Sequence, residues 1–283
     1  MSSSGGLILK ALRVFRGLMA FLTAIPFKMD ESFLDISARY MFLFPVIGAI
    51  IGFLVGLYAR FTNNVLFFLF GYINTIVFSG SYEVLFEFVA KGLASAMTIA
   101  FLLVIIGLQH TDGLVDVGNA LGIRKASLKE KMDIAHVWTV TRTGAFFAIL
   151  VSFFTLLLIF LTNTDVVIQS LIVAEVSAKL AMVTTAWQGT SPPQSLEEKR
   201  GKGRNFIDFM IKNNELYAIS LIISLVVSVA LFGLSGVFAV AAGMLVGGFM
   251  IIVGKQVFGG VNGDIFGATN EIARMVTLFV LVI

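Results

Sequence analysis

Six long runs of apolar residues, nearly free of charge and separated by polar or glycine-rich segments, constrain this chain more than any motif does. They cover residues 41–59, 88–108, 144–161, 166–187, 216–232 and 237–253. A helix rises about 1.5 Å per residue and the hydrocarbon core of a bilayer is about 30 Å thick, so roughly 20 apolar residues suit one crossing. Two further stretches read two ways. Residues 65–80 are few and include Asn74, so they span or re-enter; residues 272–283 are too few to span unless the helix begins near Gly267. Residues 7–27 mix Lys10, Arg13 and Arg16 with Leu, Phe and Met, which suits an interfacial helix. The reading is an all-α, polytopic transmembrane helix bundle of about six to eight spans. Residues 1–283 are expected to form a single integral membrane domain, multi-pass in the cell membrane.

Composition excludes the main alternative. Hydrophobic residues make up 58% of the chain and charged residues 13%, with mean hydropathy +0.97. Soluble domains run at about half apolar and about a quarter charged. No cysteine is present, which removes disulfides, thiolate metal sites and cysteine nucleophiles together. Lys10, Arg13 and Arg16 interrupt the first apolar stretch, and Pro26 ends it without a small-residue cleavage site. A cleavable signal peptide is therefore not expected.

Polar residues gather in three stretches: 109–142, 188–214 and 254–266. The first carries Arg124, Lys125, Lys129, Lys131 and Arg142, and the second Lys199, Arg200, Lys202, Arg204 and Lys212. The two-span hairpins that follow them turn at residues 162–165 and 233–236, where no basic residue occurs. Such hairpins return each polar stretch to one side, and the bias of Lys and Arg makes that side cytoplasmic. The number of crossings before residue 109 stays open.

Acids inside or beside apolar segments are costly and mark cavities or partners. Asp112 and Asp116 follow directly on a span, four residues apart, with His110 just before and Asn119 one turn further on. On a helix the two carboxylates share a face and repel unless a cation lies between them. Mg²⁺, which takes one or two carboxylates plus substrate phosphates, suits such a pair. An N-cap Asp112 with a solvated Asp116 explains the spacing equally simply. In Gly259, Gly260, Val261, Asn262, Gly263 and Asp264, glycines and a carboxylate precede the last apolar stretch, with Glu271 two turns beyond Asp264 on one face. Glycine allows close backbone approach to a ligand, and a helix N-terminus attracts anions; an ordinary capping loop is the plainer account. Glu175 and Lys179 either neutralise each other within a span or leave Lys179 to face a phosphate. Residues 201–206 offer Lys202 and Arg204 to phosphates or to anionic lipid. His136 reads as a loop residue, Trp138 and Trp187 as interface anchors, and the 28 Phe residues as packing or lipid-facing groups.

Taken in order, these motifs resemble the membrane-bound cobalamin-5′-phosphate synthases, also called adenosylcobinamide-GDP ribazoletransferases. The similar segments are Phe21-Leu-Thr-Ala-Ile-Pro-Phe27; Phe44-Pro-Val-Ile-Gly48 with Gly52; and His110-Thr-Asp-Gly-Leu-Val-Asp116, the most specific. Arg142-Thr-Gly144, Gly203-Arg-Asn-Phe206 and Gly259-Gly-Val-Asn-Gly-Asp264 through Glu271 follow in register. The resemblance implies joining of adenosylcobinamide-GDP to α-ribazole or its 5′-phosphate, with release of GMP and a requirement for Mg²⁺. It implies Asp112, Asp116, Asn119 and Asp264 as metal ligands, and Arg142, Lys179, Arg204, Gly263 and Glu271 as groups around the phosphates. His110, Asp112 and Asp116 take the catalytic places, with His110 orienting an acid or relaying the hydroxyl proton. The chain departs from the family pattern where Asn119 replaces a third acid and Ala120 a glycine, and where Val140 and Thr141 precede Arg142 without an acid. The expected partners are the two substrates and the lipid bilayer, with no nucleic acid; a homo-oligomer is left open. A CDP-alcohol phosphotransferase or prenyltransferase would also use acids on a diphosphate. A secondary transporter would use Glu175, Glu271 and the Asp pair as ion sites.

Overall fold

The computed structural model describes residues 2–27, 33–123, 125–135, 140–193, 202–211 and 213–283. His136, Trp138, Arg124, Lys199, Arg200 and Lys212 lie outside the described residues, as do the side chains of Lys202 and Arg204. Every regular element described is helical: α1 (Ser2–Leu22), α2 (Phe33–Arg39), α3 (Phe44–Phe78), α4 (Glu83–Ile106), α5 (Gln109–Leu121), α6 (Leu128–Ala135), α7 (Arg142–Leu161), α8 (Val167–Gln188), α9 (Lys202–Ile211), α10 (Asn214–Phe232), α11 (Leu234–Phe258) and α12 (Gly263–Val282), with short 3₁₀ turns before α3 and α8. Seven of the described helices, α3, α4, α7, α8, α10, α11 and α12, are long and apolar enough to cross a membrane.

The two ambiguous stretches resolve for local reasons. Residues 65–80 do not form a separate span, because α3 runs unbroken through Arg60, Thr62 and Asn63. The Thr62 hydroxyl donates to the carbonyl of Tyr58 (2.9 Å), and Asn63 Nδ2 donates to that of Ala59 (2.9 Å). Polar side chains that fold back on their own helix need no water, so they do not end it. At 35 residues and about 1.5 Å each, α3 is about 52 Å long, well beyond one hydrocarbon thickness. Its last turn is tied to the next helix by Asn74, whose side-chain oxygen accepts from the Tyr82 amide (3.1 Å). The last helix starts at Gly263 rather than near residue 272, because Asn262 caps it by accepting from the Ile265 amide (3.1 Å). At the amino end α1 stops at Leu22; it buries Leu18, Met19 and Leu22 and leaves Ile8, Leu9 and Leu12 exposed.

Helix α8 is the axis of the bundle, with 78% of its apolar window buried against 22% for α10. Small residues on its neighbours let it sit there. Gly48, Gly52 and Gly56 form a stripe along α3 whose added Cβ atoms would lie 2.6 Å from the Glu175 carbonyl oxygen, 2.4 Å from that of Leu171 and 2.7 Å from Ile168 Cα. Across α8, Gly243 and Gly247 of α11 approach the carbonyl oxygens of Ser177 (2.8 Å) and Ala181 (2.7 Å) in the same way. Lipid gives apolar surface no reason to associate, so close backbone packing through small residues holds such helices together. Gly52→Val is expected to force α3 from α8 and cost about 1–3 kcal/mol or more. Gly71→Ala, with nothing within 4 Å of the new Cβ, serves as the silent control. Thermal denaturation in detergent compares them, and equal midpoints would refute the packing role.

Two crossings precede residue 109, so α1 and α2 share a side with α5. The connections at that end touch one another: the Val261 amide donates to the Thr190 carbonyl (2.8 Å) and Lys131 Nζ to that of Gln256 (3.3 Å). The Ala24 amide donates to the Ile105 carbonyl (2.7 Å), and Asn205 Nδ2 to Asp35 (3.2 Å). All three polar stretches therefore meet at one end of the bundle.

Candidate active site

Glycine geometry builds the site. Gly107, with φ +60°, ends α4 and turns the chain into α5, and an added Cβ there would meet Ala24 at 2.8 Å. Helix α5 then lies antiparallel to the start of α12, each helix giving one glycine to the contact. At Gly113 an added Cβ would be 2.7 Å from the Asp264 carbonyl oxygen, and at Gly267 it would be 3.0 Å from that of His110. On its other face, α5 packs through Gly118 against Gly144 of α7 (2.8 Å to its Cα).

This arrangement brings Asp112, Asp116 and Asp264 to one polar end. Asp112 is exposed and Asp116 half-buried, one turn apart on α5. Asp264 is half-buried in the first turn of α12 and accepts from Asn262 Nδ2 (2.8 Å). Among the described residues, no three His, Asp or Glu side chains are placed to cage a metal ion. What the site offers a divalent cation is the Asp112–Asp116 pair with Asp264 across the helix contact. That partial set suits Mg²⁺, whose remaining positions go to water and phosphate oxygens. Arg142, the first residue of α7, is exposed at the same end.

Asn119 has a different setting. It is 1% exposed, and its Oδ1 accepts from both the amide (3.0 Å) and the hydroxyl (2.7 Å) of Thr141. Thr141 in turn caps α7, its hydroxyl accepting from the Gly144 amide (3.1 Å). The oxygen that sequence reasoning offered to a metal holds the start of α7.

His110 lies at the root of α5, 7% exposed, with its Nδ1 buried and without a hydrogen-bond partner among the described residues. Burial, helped by the Lys179 and Arg274 cations and opposed by Glu175, holds the imidazole well below its usual value. Beside it opens a cavity of about 180 Å³ lined by His110, Gly263, Gly267 and the rings of Phe21, Phe206 and Phe266.

Deeper in the bundle, α8 and α12 share a buried ionic network. Lys179 Nζ donates to Glu175 (3.3 Å) and to Asn270 Oδ1 (2.6 Å). Arg274 pairs with Glu175 through Nε and with Glu271 through Nη1 (2.6 Å), and Asn270 Nδ2 donates to Glu271 (3.1 Å). The two acids and two cations balance, and the four side chains are at most 6% exposed. Lys179 and Glu271 thus sit among partners in the core rather than at the acid-lined end, and Glu175 and Glu271, the transporter's candidate ion sites, are both neutralised. Sequence reasoning passed over Arg274 and Asn270, although an arginine inside an apolar segment is itself a signal of a buried acid. It also passed over the pocket phenylalanines, which nothing in the sequence separates from the other 25.

Fold and site together define a polytopic, all-helical membrane protein with an acidic, diphosphate-compatible site at one end of its bundle. The family model described as "Cobalamin-5-phosphate synthase" matches residues 59–282, and the chain belongs to that family. Among similar proteins, the adenosylcobinamide-GDP ribazoletransferase of Methanosarcina barkeri is 27% identical over 96% of this chain and 92% of its own length. That of Methanococcoides burtonii is 28% identical over the same shares. A shorter alignment, 69% of this chain and 73% of the relative, gives 32% identity with the protein of that name from Thermoplasma acidophilum. No solved structure matches the chain.

Proposed function

We propose that this protein joins adenosylcobinamide-GDP to α-ribazole or its 5′-phosphate and releases GMP, with Mg²⁺ as cofactor and the acid-lined end facing the cytoplasm. The observation that carries the reading is the meeting of Asp112 and Asp116 with Asp264 through the Gly113 and Gly267 contacts, in a chain of this family. In this reaction an acceptor hydroxyl oxygen forms a bond to the phosphorus bearing cobinamide. The bond from that phosphorus to the oxygen of GMP breaks, and GMP leaves with the electron pair. Transfers of this kind depend on placing the reactants in line and on stabilising charge over the phosphoryl oxygens. Asp112 and Asp116, with Asp264 across the helix contact, would share Mg²⁺ with the substrate's own phosphate oxygens and water, and the ion would supply charge neutralisation on the diphosphate. Arg142, at the same end, adds a fixed cation for the departing nucleotide. His110, at the root of α5 beside the acids, orients an acid or relays the hydroxyl proton. The orientation rests on the Lys and Arg residues of the polar stretches and their absence from the opposite turns.

Membranes carrying the protein, given both substrates, are expected to release GMP with Mg²⁺ present and to lose that release in excess EDTA, with recovery on restoring Mg²⁺. GMP release undiminished by EDTA would remove the metal from the reading, and no GMP with either acceptor would overturn it.

A further inference from the structure

We infer that the cavity beside His110 seats the aromatic base of the acceptor, which makes Phe206 and Phe266 specificity determinants of the reaction; this rests on the reading above. The cavity is roofed and walled by rings from three separate helices. Phe21 of α1 and Phe206 of α9 stack with centroids 4.9 Å apart and 28° between planes, and Phe206 meets Phe266 of α12 edge-on at 6.1 Å and 62°. Phe206 and Phe266 are 2% and 4% exposed, so they belong to the protein interior and not to the lipid face.

Size and chemistry select the occupant. A cavity of about 150 Å³ accepts one benzene ring, so about 180 Å³ suits one planar ring system and excludes a corrin. Of the two bases in the reaction, guanine carries hydrogen-bonding groups around most of its edge. The benzimidazole of ribazole presents a hydrocarbon edge, which phenylalanine rings can cover without leaving polar groups unpaired. Gln109 and His110 are the polar side chains that line the cavity. The ribose joined to the base brings hydroxyls that can hydrogen-bond to them. Gly263 opens the route toward the acids: an added Cβ there meets nothing within 4 Å, and the next residue is Asp264. A base among the phenylalanines therefore points its sugar past Gly263 to the end where the diphosphate lies.

In nanodiscs holding the full chain, steady-state GMP release is measured with each substrate varied in turn. Stacking and burial of one base account for about ten-fold or more in affinity. Phe206→Leu and Phe266→Leu, each of which removes a ring face from the cavity, are expected to raise the KM for α-ribazole about ten-fold or more. The KM for adenosylcobinamide-GDP should stay within about two-fold. A rise in the donor's KM instead, or no change in either, overturns the assignment. Equilibrium binding of α-ribazole without donor is measured in parallel. If the wild type binds α-ribazole and Phe206→Leu does not, the seat stands even where GMP release fails and the proposed reaction falls. If wild type and Phe206→Leu bind alike, or neither binds, the seat is wrong whatever the turnover.

Discussion

Arg274→Ala is expected to leave little folded protein in the membrane. Arg274 is 1% exposed and is the only cation that bridges both Glu175 and Glu271 by direct bonds among the described residues. Without it Lys179 still pairs with Glu175 and donates to Asn270, but Glu271 keeps only the Asn270 amide. One negative charge is then uncompensated inside the bundle. Removing one partner of a buried ion pair costs about 3–5 kcal/mol, a large share of a typical total stability of about 5–15 kcal/mol. The ionic network joins α8 to α12, and α12 carries Asp264 and the wall of the cavity, so loosening it reaches the site. The readout is monodisperse yield and thermal midpoint in detergent. The double variant Glu271→Gln with Arg274→Met removes the stranded acid together with the cation, and should recover much of what Arg274→Met alone loses. A fully stable Arg274→Ala, or a double variant no better than the single, would show that charge balance does not hold these helices.

Asp112→Asn is expected to do the opposite: the fold survives and transfer is lost. Asp112 is exposed on α5, and exposed substitutions of this kind usually change stability by no more than about 0.5 kcal/mol. Its proposed work lies in stabilising the diphosphate charge together with Asp116 and Asp264. Losing one such electrostatic group typically costs about 100- to 1,000-fold in rate. Asp264→Asn should fall as far, since the neutral amide keeps the size of the side chain and drops the charge. GMP release per mole of folded protein is the measure, with thermal midpoints as the control. If both variants turn over within about three-fold of wild type while folding normally, the acids are not the diphosphate site.

The fold was legible in the sequence to the degree that membrane physics is local. The unbroken apolar runs located α4, α7, α8, α10 and α11, because a span must satisfy its own backbone and present apolar side chains for about 20 residues. Counting two-span hairpins placed the three polar stretches at one end before any contact was known. Where a polar residue sat within a helix, the same logic failed. The run read as residues 41–59 stops short of Thr62 and Asn63, which bond to their own helix and let it continue. The ordered motifs of the family were legible too, and Asp112, Asp116 and Asp264 do reach a common end.

Partnership was not legible. Glu175 and Lys179 are four residues apart and could be paired by eye, but the second cation, Arg274, stands 99 residues from Glu175. The bond from Thr141, 22 residues on, to the oxygen of Asn119 has no signal in the sequence. The phenylalanines of the cavity come from α1, α9 and α12, and no periodicity in one helix announces a ring from another.

By itself the sequence bounded the crossings at about six to eight, showed which end gathers the polar residues, and showed which family the motifs follow. Those depend on hydropathy over one helix length and on residue order. Only the tertiary structure decided that Lys179 and Glu271 belong to a neutralised core, that Asn119 holds the start of α7, and that three phenylalanines enclose a cavity at His110. Each depends on which helix faces which, and close glycine contacts between segments far apart in the chain set that choice.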